Sequence, residues 1–180
     1  MKMLLDFYDL HALTTYHNTG GNIVTRQAAS QWLSPILQHV DIEHIAMSPG
    51  AQSALSAFIL MLTNQHDTIM IEPYTYPGFL LALNQLQRQA YTLEMDEEGP
   101  CIDAILKGIR QGIRVLYLNP TINNPTTKTI SVKRRQEIAD LINQYHIHLI
   151  EDDPYYLLAH DAPPPIASLA PRYTYYISTV

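Results

Sequence analysis

A single cysteine, Cys101, stands among 180 residues, which excludes an internal disulfide framework and fits a reducing cytosol. Positive charge is scarce: 11 Lys and Arg against 17 Asp and Glu leave a formal net charge of -6. No global positive field exists to draw in a phosphate backbone, so nucleic acid is not expected as a partner of this chain by itself. Long apolar runs are missing too. The longest, about Ala54 to Leu62, is interrupted by Ser56 and falls far short of the ~20 residues a membrane helix needs. The start, Met1-Lys2-Met3-Leu4-Leu5-Asp6, meets an acidic residue too early for a signal-peptide core. Neither G-x-G-x-x-G nor G-x-x-x-x-G-K-[ST] occurs, and there is no internal repeat. What remains is the expectation of a soluble cytoplasmic protein, 47% hydrophobic and long enough for one domain with a real core.

Short apolar runs alternate with longer amphipathic ones, the pattern of an α/β chain with a parallel sheet and crossover helices. The spacing predicts strands at His44–Ser48, Thr68–Glu72, Ala90–Glu94, Arg114–Leu118 and His148–Glu151, with a sixth at Tyr173–Ser178. Helical periodicity predicts helices over Gln52–Asn64, Phe79–Gln89, Ile102–Gln111 and Val132–Tyr145, the last capped by Ser131. An earlier helix is expected from about Gln27 to His39, bent or ended early by Pro35. Pro163-Pro164-Pro165 reads as an extended surface connector.

Ligands of open parallel sheets collect at the carboxyl ends of strands, where helix amino termini also point. Four segments fall there. Ser48-Pro49-Gly50-Ala51-Gln52-Ser53 is either an anion seat of backbone amides at a helix start or a plain glycine turn. Tyr74-Thr75-Tyr76-Pro77-Gly78 could stack an aromatic ring on a planar ligand or pack it on the core. Asn119 to Thr127 is a polar loop whose Asn side chains could donate to a ring oxygen, or a bland Asn/Pro turn. Glu151-Asp152-Asp153 brings three carboxylates to the end of an apolar strand. One of them facing a protonated ring nitrogen would offset the cost of burial. The other readings are a solvated acidic turn, or metal binding with His146 and His148, for which the spacing is not a standard ligand set. Both His146 and His148 read as ordinary strand residues, and Lys133-Arg134-Arg135 as a solvated basic face.

In this order the segments resemble the large domain of the fold-type I, pyridoxal-phosphate-dependent aminotransferases of class I/II. The nearest likeness is to the kynurenine/aminoadipate-like branch and to the aminotransferase-like domains of GntR-type (MocR) regulators, and it runs from about Tyr16 to Val180. The resemblance implies a three-layer α/β/α fold with a mainly parallel sheet, a partial large domain over residues 1–180 in which 1–15 form a lead-in. It implies that Gly50, Ala51 and Gln52 grip the cofactor phosphate and that Tyr76 stacks on the pyridine ring. Asn124 and Tyr155 would reach the phenolic oxygen, Asp152 would pair with the ring N–H, and Tyr16 would cross a homodimer interface to the partner's phosphate. Thr179 matches a hydroxyl three residues before the family's Schiff-base lysine. By that spacing the lysine would fall two residues past Val180, and Lys2, Lys107, Lys128 and Lys133 have no comparable place.

Thr127 also stands where the family has glycine, and Pro49 where it has Thr or Ser. The sequence therefore carries the expectation of a cofactor-domain piece of an amino acid aminotransferase that does not transaminate alone. It would take amino acids and 2-oxo acids only in a full-length parent. The alternative is a non-catalytic binding or regulatory module of the MocR type. A nucleotide-binding α/β domain is disfavoured by the missing phosphate loops.

Overall fold

The computed structural model describes residues 20–38 and 40–179. The chain divides into two compact units, Met1–Pro35 with His39–Ser48, and Ile36–Gln38 with Pro49–Val180.

Helix α1 (Ile23–Leu37), most of which lies in the first unit, begins four residues before the expected Gln27. Asn22 caps it there, its Oδ1 accepting the Thr25 N–H at 2.8 Å. Pro35 lies inside its last turn, and the helix ends shortly after it. The strand expected at His44–Ser48 does not form. Asp41 instead caps a 3₁₀ turn, Ile42–His44, and in the stretch beyond the Met47 N–H donates to the Gly20 carbonyl. Among the described residues no strand pairs with it, and apolar alternation without a paired neighbour builds no ladder.

The second unit is built on five strands: β1 (Thr68–Ile71), β2 (Gln89–Thr92), β3 (Val115–Leu118), β4 (His148–Asp152) and β5 (Thr174–Ile177). They lie in the order β2-β1-β3-β4-β5, and every pairing is parallel. The inner strands are apolar on both faces, as a sheet covered on both sides requires. On one face, α2 (Ala51–Leu62) and α3 (Pro77–Gln85) bring Leu55, Ile59, Phe79 and Leu83 onto Ile69, Val115, Tyr117 and Ile150. On the other, α4 (Ile102–Arg110), α5 (Val132–Tyr145) and α6 (Ile166–Leu169) set Ile105, Ile138, Ile142 and Ile166 against Met70, Leu116, Leu118 and Leu149. The result is the expected three-layer α/β/α arrangement. Each such side chain contributes roughly 1.5–3 kcal/mol by leaving water. Helix α5 has the limits its periodicity predicts, and Ser131 caps it by accepting the Arg134 N–H at 3.1 Å. Among the described residues no helix is long and apolar enough to cross a membrane.

Candidate functional site

The connections out of the sheet locate the site. After β1 the chain turns toward β2, whereas after β3 it passes the other way to β4. The crevice outside the carboxyl ends of β1 and β3, where these paths diverge, is where a doubly wound sheet takes a ligand. The segments leaving those strands are Glu72–Tyr76 and Asn119–Asn124.

Glu72, which the sequence reading did not single out, ties them together. It is 3% exposed, and its Oε2 accepts the Asn119 N–H at 2.9 Å and Asn123 Nδ2 at 3.1 Å. Burial pushes its carboxyl up to about 7 against those two donors. Asn119 Oδ1 in turn accepts the Asn124 N–H at 2.6 Å, while Asn119 Nδ2 donates to the Asp152 carbonyl. Asn124, half-buried, is thereby hung from a fixed loop beside Asp152.

Asp152 ends β4 and is 4% exposed. Its Oδ2 accepts the Tyr117 hydroxyl at 2.8 Å. Its Oδ1 is buried and has no partner among the described residues. Burial raises this carboxyl to about 6, with the Tyr117 bond pulling the other way. Tyr117 stacks on Phe79, centroids 3.6 Å apart and planes at 9°. Phe79 stands in the first turn of α3, whose cap is Tyr76.

Gly50 caps α2 at φ 90°, a conformation that favours glycine; a Cβ there would meet nothing within 4 Å, so it is the backbone angle and not crowding that matters. The first turn of a helix leaves amides without intrahelical acceptors, and Ala51 and Gln52 open that turn, the segment expected to seat an anion. The seat lies at the carboxyl edge of the sheet, since the short link after α2 returns the chain to the start of β1. Gln52 Nε2 donates to the Gly78 carbonyl at 2.9 Å, joining the heads of α2 and α3. Gly50, Ala51, Gln52, Tyr76, Asn124 and Asp152 thus share one edge. Tyr155, half-buried, caps the 3₁₀ turn Tyr156–Leu158 just after β4, and Thr179 follows β5. Tyr16 lies outside the described residues.

Of the readings left open for the three carboxylates, the solvated turn does not hold: Glu151, Asp152 and Asp153 are all buried. Glu151, on the opposite face from Asp152, accepts the Ile166 and Ala167 N–H groups at 2.8 and 2.7 Å. Asp153 accepts the Thr121 hydroxyl at 3.0 Å and the Tyr176 hydroxyl at 3.4 Å. Nor is Lys133-Arg134-Arg135 a solvated face. Lys133 is exposed, but Arg134 is held by Asp96, Glu98 and Glu137, and Arg135 is 0% exposed, donating to Pro120, Ile130 and Thr121. The helical spacing carried that signal, because residues 135, 138, 139 and 142 form one buried stripe of α5. His148 lies in β4, but His146 caps α5 in the left-handed region at φ 54° and is no strand residue. Among the described residues no group of three or more His, Cys, Asp and Glu could hold a metal ion.

The family model for aminotransferase class I and II matches residues 1–179. The HTH-type transcriptional regulator YdeF of Bacillus subtilis is 29% identical, covering 100% of this chain and 39% of that protein. An aromatic amino acid aminotransferase of Schizosaccharomyces pombe is 34% identical over 73% of this chain and 31% of its own length. The crystal structure of Pyrococcus horikoshii kynurenine aminotransferase superposes with a TM-score of 0.87 at 25% identity, covering 99% of this chain and 46% of that one. The chain therefore spans less than half the length of these relatives.

Proposed function

The chain belongs to the class I and II aminotransferases, and from that premise we propose that its sheet-bearing unit is the pyridoxal 5'-phosphate-binding large-domain portion of an amino acid aminotransferase. The activity of the whole protein would be transfer of an amino group between an amino acid and a 2-oxo acid. The observation that carries this reading is the buried Oδ1 of Asp152, without a partner among the described residues, at the crevice where the sheet takes ligands. A carboxylate oxygen buried without a donor is costly. A protonated ring nitrogen supplies both the missing donor and the opposite charge, so the residues present fit the cofactor.

In this reading the amides of Gly50, Ala51 and Gln52 take the phosphate, whose charge suits a helix amino terminus. Tyr76 covers one face of the ring, and Asn124 and Tyr155 donate to the phenolic oxygen. Thr179 adds a hydroxyl at the exit of β5, and Tyr16 reaches the phosphate of a partner copy in a homodimer. Bound there, the cofactor supplies an electron sink for the substrate's α-carbon. Asp152 keeps the ring nitrogen protonated so that the sink stays open, and the buried wall of Tyr117 and Phe79 keeps water from the ion pair.

The test is titration of this chain with pyridoxal 5'-phosphate, followed by its melting temperature. At ligand about 100 times Kd the folded state gains about 2.7 kcal/mol. The wild-type chain should be stabilised and Asp152→Ala should lose most of that gain. A wild-type chain indifferent to the cofactor, or a variant that responds equally, would overturn the proposal.

A second reading is supported by YdeF, whose similarity runs the length of the chain: the same pocket would serve a regulator that senses the cofactor or its amino acid adduct. Cofactor binding without conversion of amino acid and 2-oxo acid by the full-length parent would favour it.

A further inference from the structure

The two carboxylate oxygens of Asp152 are not alike. Oδ2 is taken by the Tyr117 hydroxyl at 2.8 Å, while Oδ1 is left without a partner among the described residues. Register explains the pairing. Tyr117 of β3 lies opposite Ile150 of β4, and Asp152, two residues on, presents its side chain on the same face. Tyr117 cannot turn away, because it is 0% exposed and its ring lies flat against Phe79 at 3.6 Å.

Resting on the cofactor reading above, we infer that Tyr117 is a positioning residue of the site. By occupying Oδ2 it fixes the plane of the Asp152 carboxylate, favours its ionised form and leaves Oδ1 as the one oxygen offered to a protonated ring nitrogen. The groups around this pair support the role. Asp153 follows Asp152 in the chain, and Glu72 at the exit of β1 acts on the Tyr117 phenol. None of these is a cation, so among them the phenol is the group that favours the charged carboxylate. Burial and the charge of Asp152 hold the Tyr117 hydroxyl far above its ordinary range, so it stays a donor wherever the protein is folded.

Tyr117→Phe keeps the ring and its stacking and removes the hydroxyl. The first readout needs no cofactor: the titration of the Asp152 carboxyl followed by carbon-13 NMR in the unliganded chain. Loss of a hydrogen bond to the charged form should move the midpoint up by about one pH unit. The second readout is affinity for pyridoxal 5'-phosphate as a function of pH. It should weaken about twofold at pH 7 and approach tenfold near pH 5, and recover above pH 8, following the displaced carboxyl.

A lowered melting temperature with an unmoved Asp152 midpoint would mark a merely structural tyrosine and overturn the inference. Should Tyr117→Phe fail to fold, Phe79→Leu, which frees the ring and keeps the hydroxyl, is titrated instead: an upward shift supports the role and an unchanged midpoint overturns it. If the wild-type chain binds no pyridoxal 5'-phosphate, the cofactor reading fails, and the NMR titration still judges the contact separately.

Discussion

Replacing Arg135 by methionine, similar in length but uncharged, removes a guanidinium that is 0% exposed. Its Nε donates to the Ile130 carbonyl at 3.1 Å, and Nη2 to the Pro120 carbonyl and Thr121 hydroxyl, both at 2.9 Å. Its Nη1 reaches the Pro164 carbonyl at 3.3 Å, so one side chain pins three separate stretches of backbone. Its charge also opposes the two buried carboxylates Glu151 and Asp153.

Removing one partner of a buried charge group costs about 3–5 kcal/mol, because what is left behind is uncompensated. That is a large share of the ~5–15 kcal/mol that holds a domain together. The carboxylates can escape part of the penalty by taking up protons, for which they are poised at about 7 and about 6. The loss should therefore be about 3–5 kcal/mol at pH 8. At pH 5 it should shrink toward the ~1–3 kcal/mol of unsatisfied hydrogen-bonding groups. Urea unfolding of both chains at the two pH values, with equal m-values, measures this. A cost under about 1 kcal/mol at pH 8, or one that does not change with pH, would refute the reasoning.

Two further outcomes follow from the same interior. Burial raises Glu72 and Glu151 to about 7 and Asp152 and Asp153 to about 6. The folded chain therefore binds these protons more tightly than the unfolded one, and the stability they contribute is lost as pH rises from about 4 toward 7. Asp96, lowered to about 2 mainly by Arg134, acts in the opposite sense only below about 4. Urea midpoints should fall between pH 5 and pH 8, and a rising midpoint would contradict the burial of these acids. In Gly78→Ala, a new Cβ would lie 2.5 Å from Gln52 Oε1 and from Tyr76 Cζ. Gln52 can swing aside but the Tyr76 ring must shift, so affinity for pyridoxal 5'-phosphate should drop roughly tenfold, about 1.4 kcal/mol of lost stacking. Unchanged affinity by fluorescence titration would argue that Tyr76 does not cover the ring.

The sheet was largely legible because its strands are short apolar runs set between helical periods, and Val132–Tyr145 came out with both ends right because Ser131 and the stripe of Ile138, Ala139 and Ile142 agree. His44–Ser48 has the same apolar look but no strand pairs with it among the described residues, and pairing is a property of the neighbour, not of the run. The order of Gly50, Tyr76, Asn124 and Asp152 was legible as chemistry at strand ends. Glu72 was not, since a glutamate at a strand exit looks like a surface residue until the Asn119 amide and the Asn123 side chain are seen converging on it. Arg134 and Arg135 were misread because a run of basic residues suggests solvent, while helical geometry points successive side chains 100° apart and takes two of the three out of solvent.

On this reading one small molecule spans the amide cradle at Gly50–Gln52 and Oδ1 of Asp152. A crystal structure of this chain with pyridoxal 5'-phosphate tests it most directly. The account predicts the ring nitrogen within about 2.6–3.2 Å of Asp152 Oδ1 and the phosphate on the amides that open α2. A cofactor whose ring points away from Asp152, or whose phosphate rests elsewhere, would contradict it.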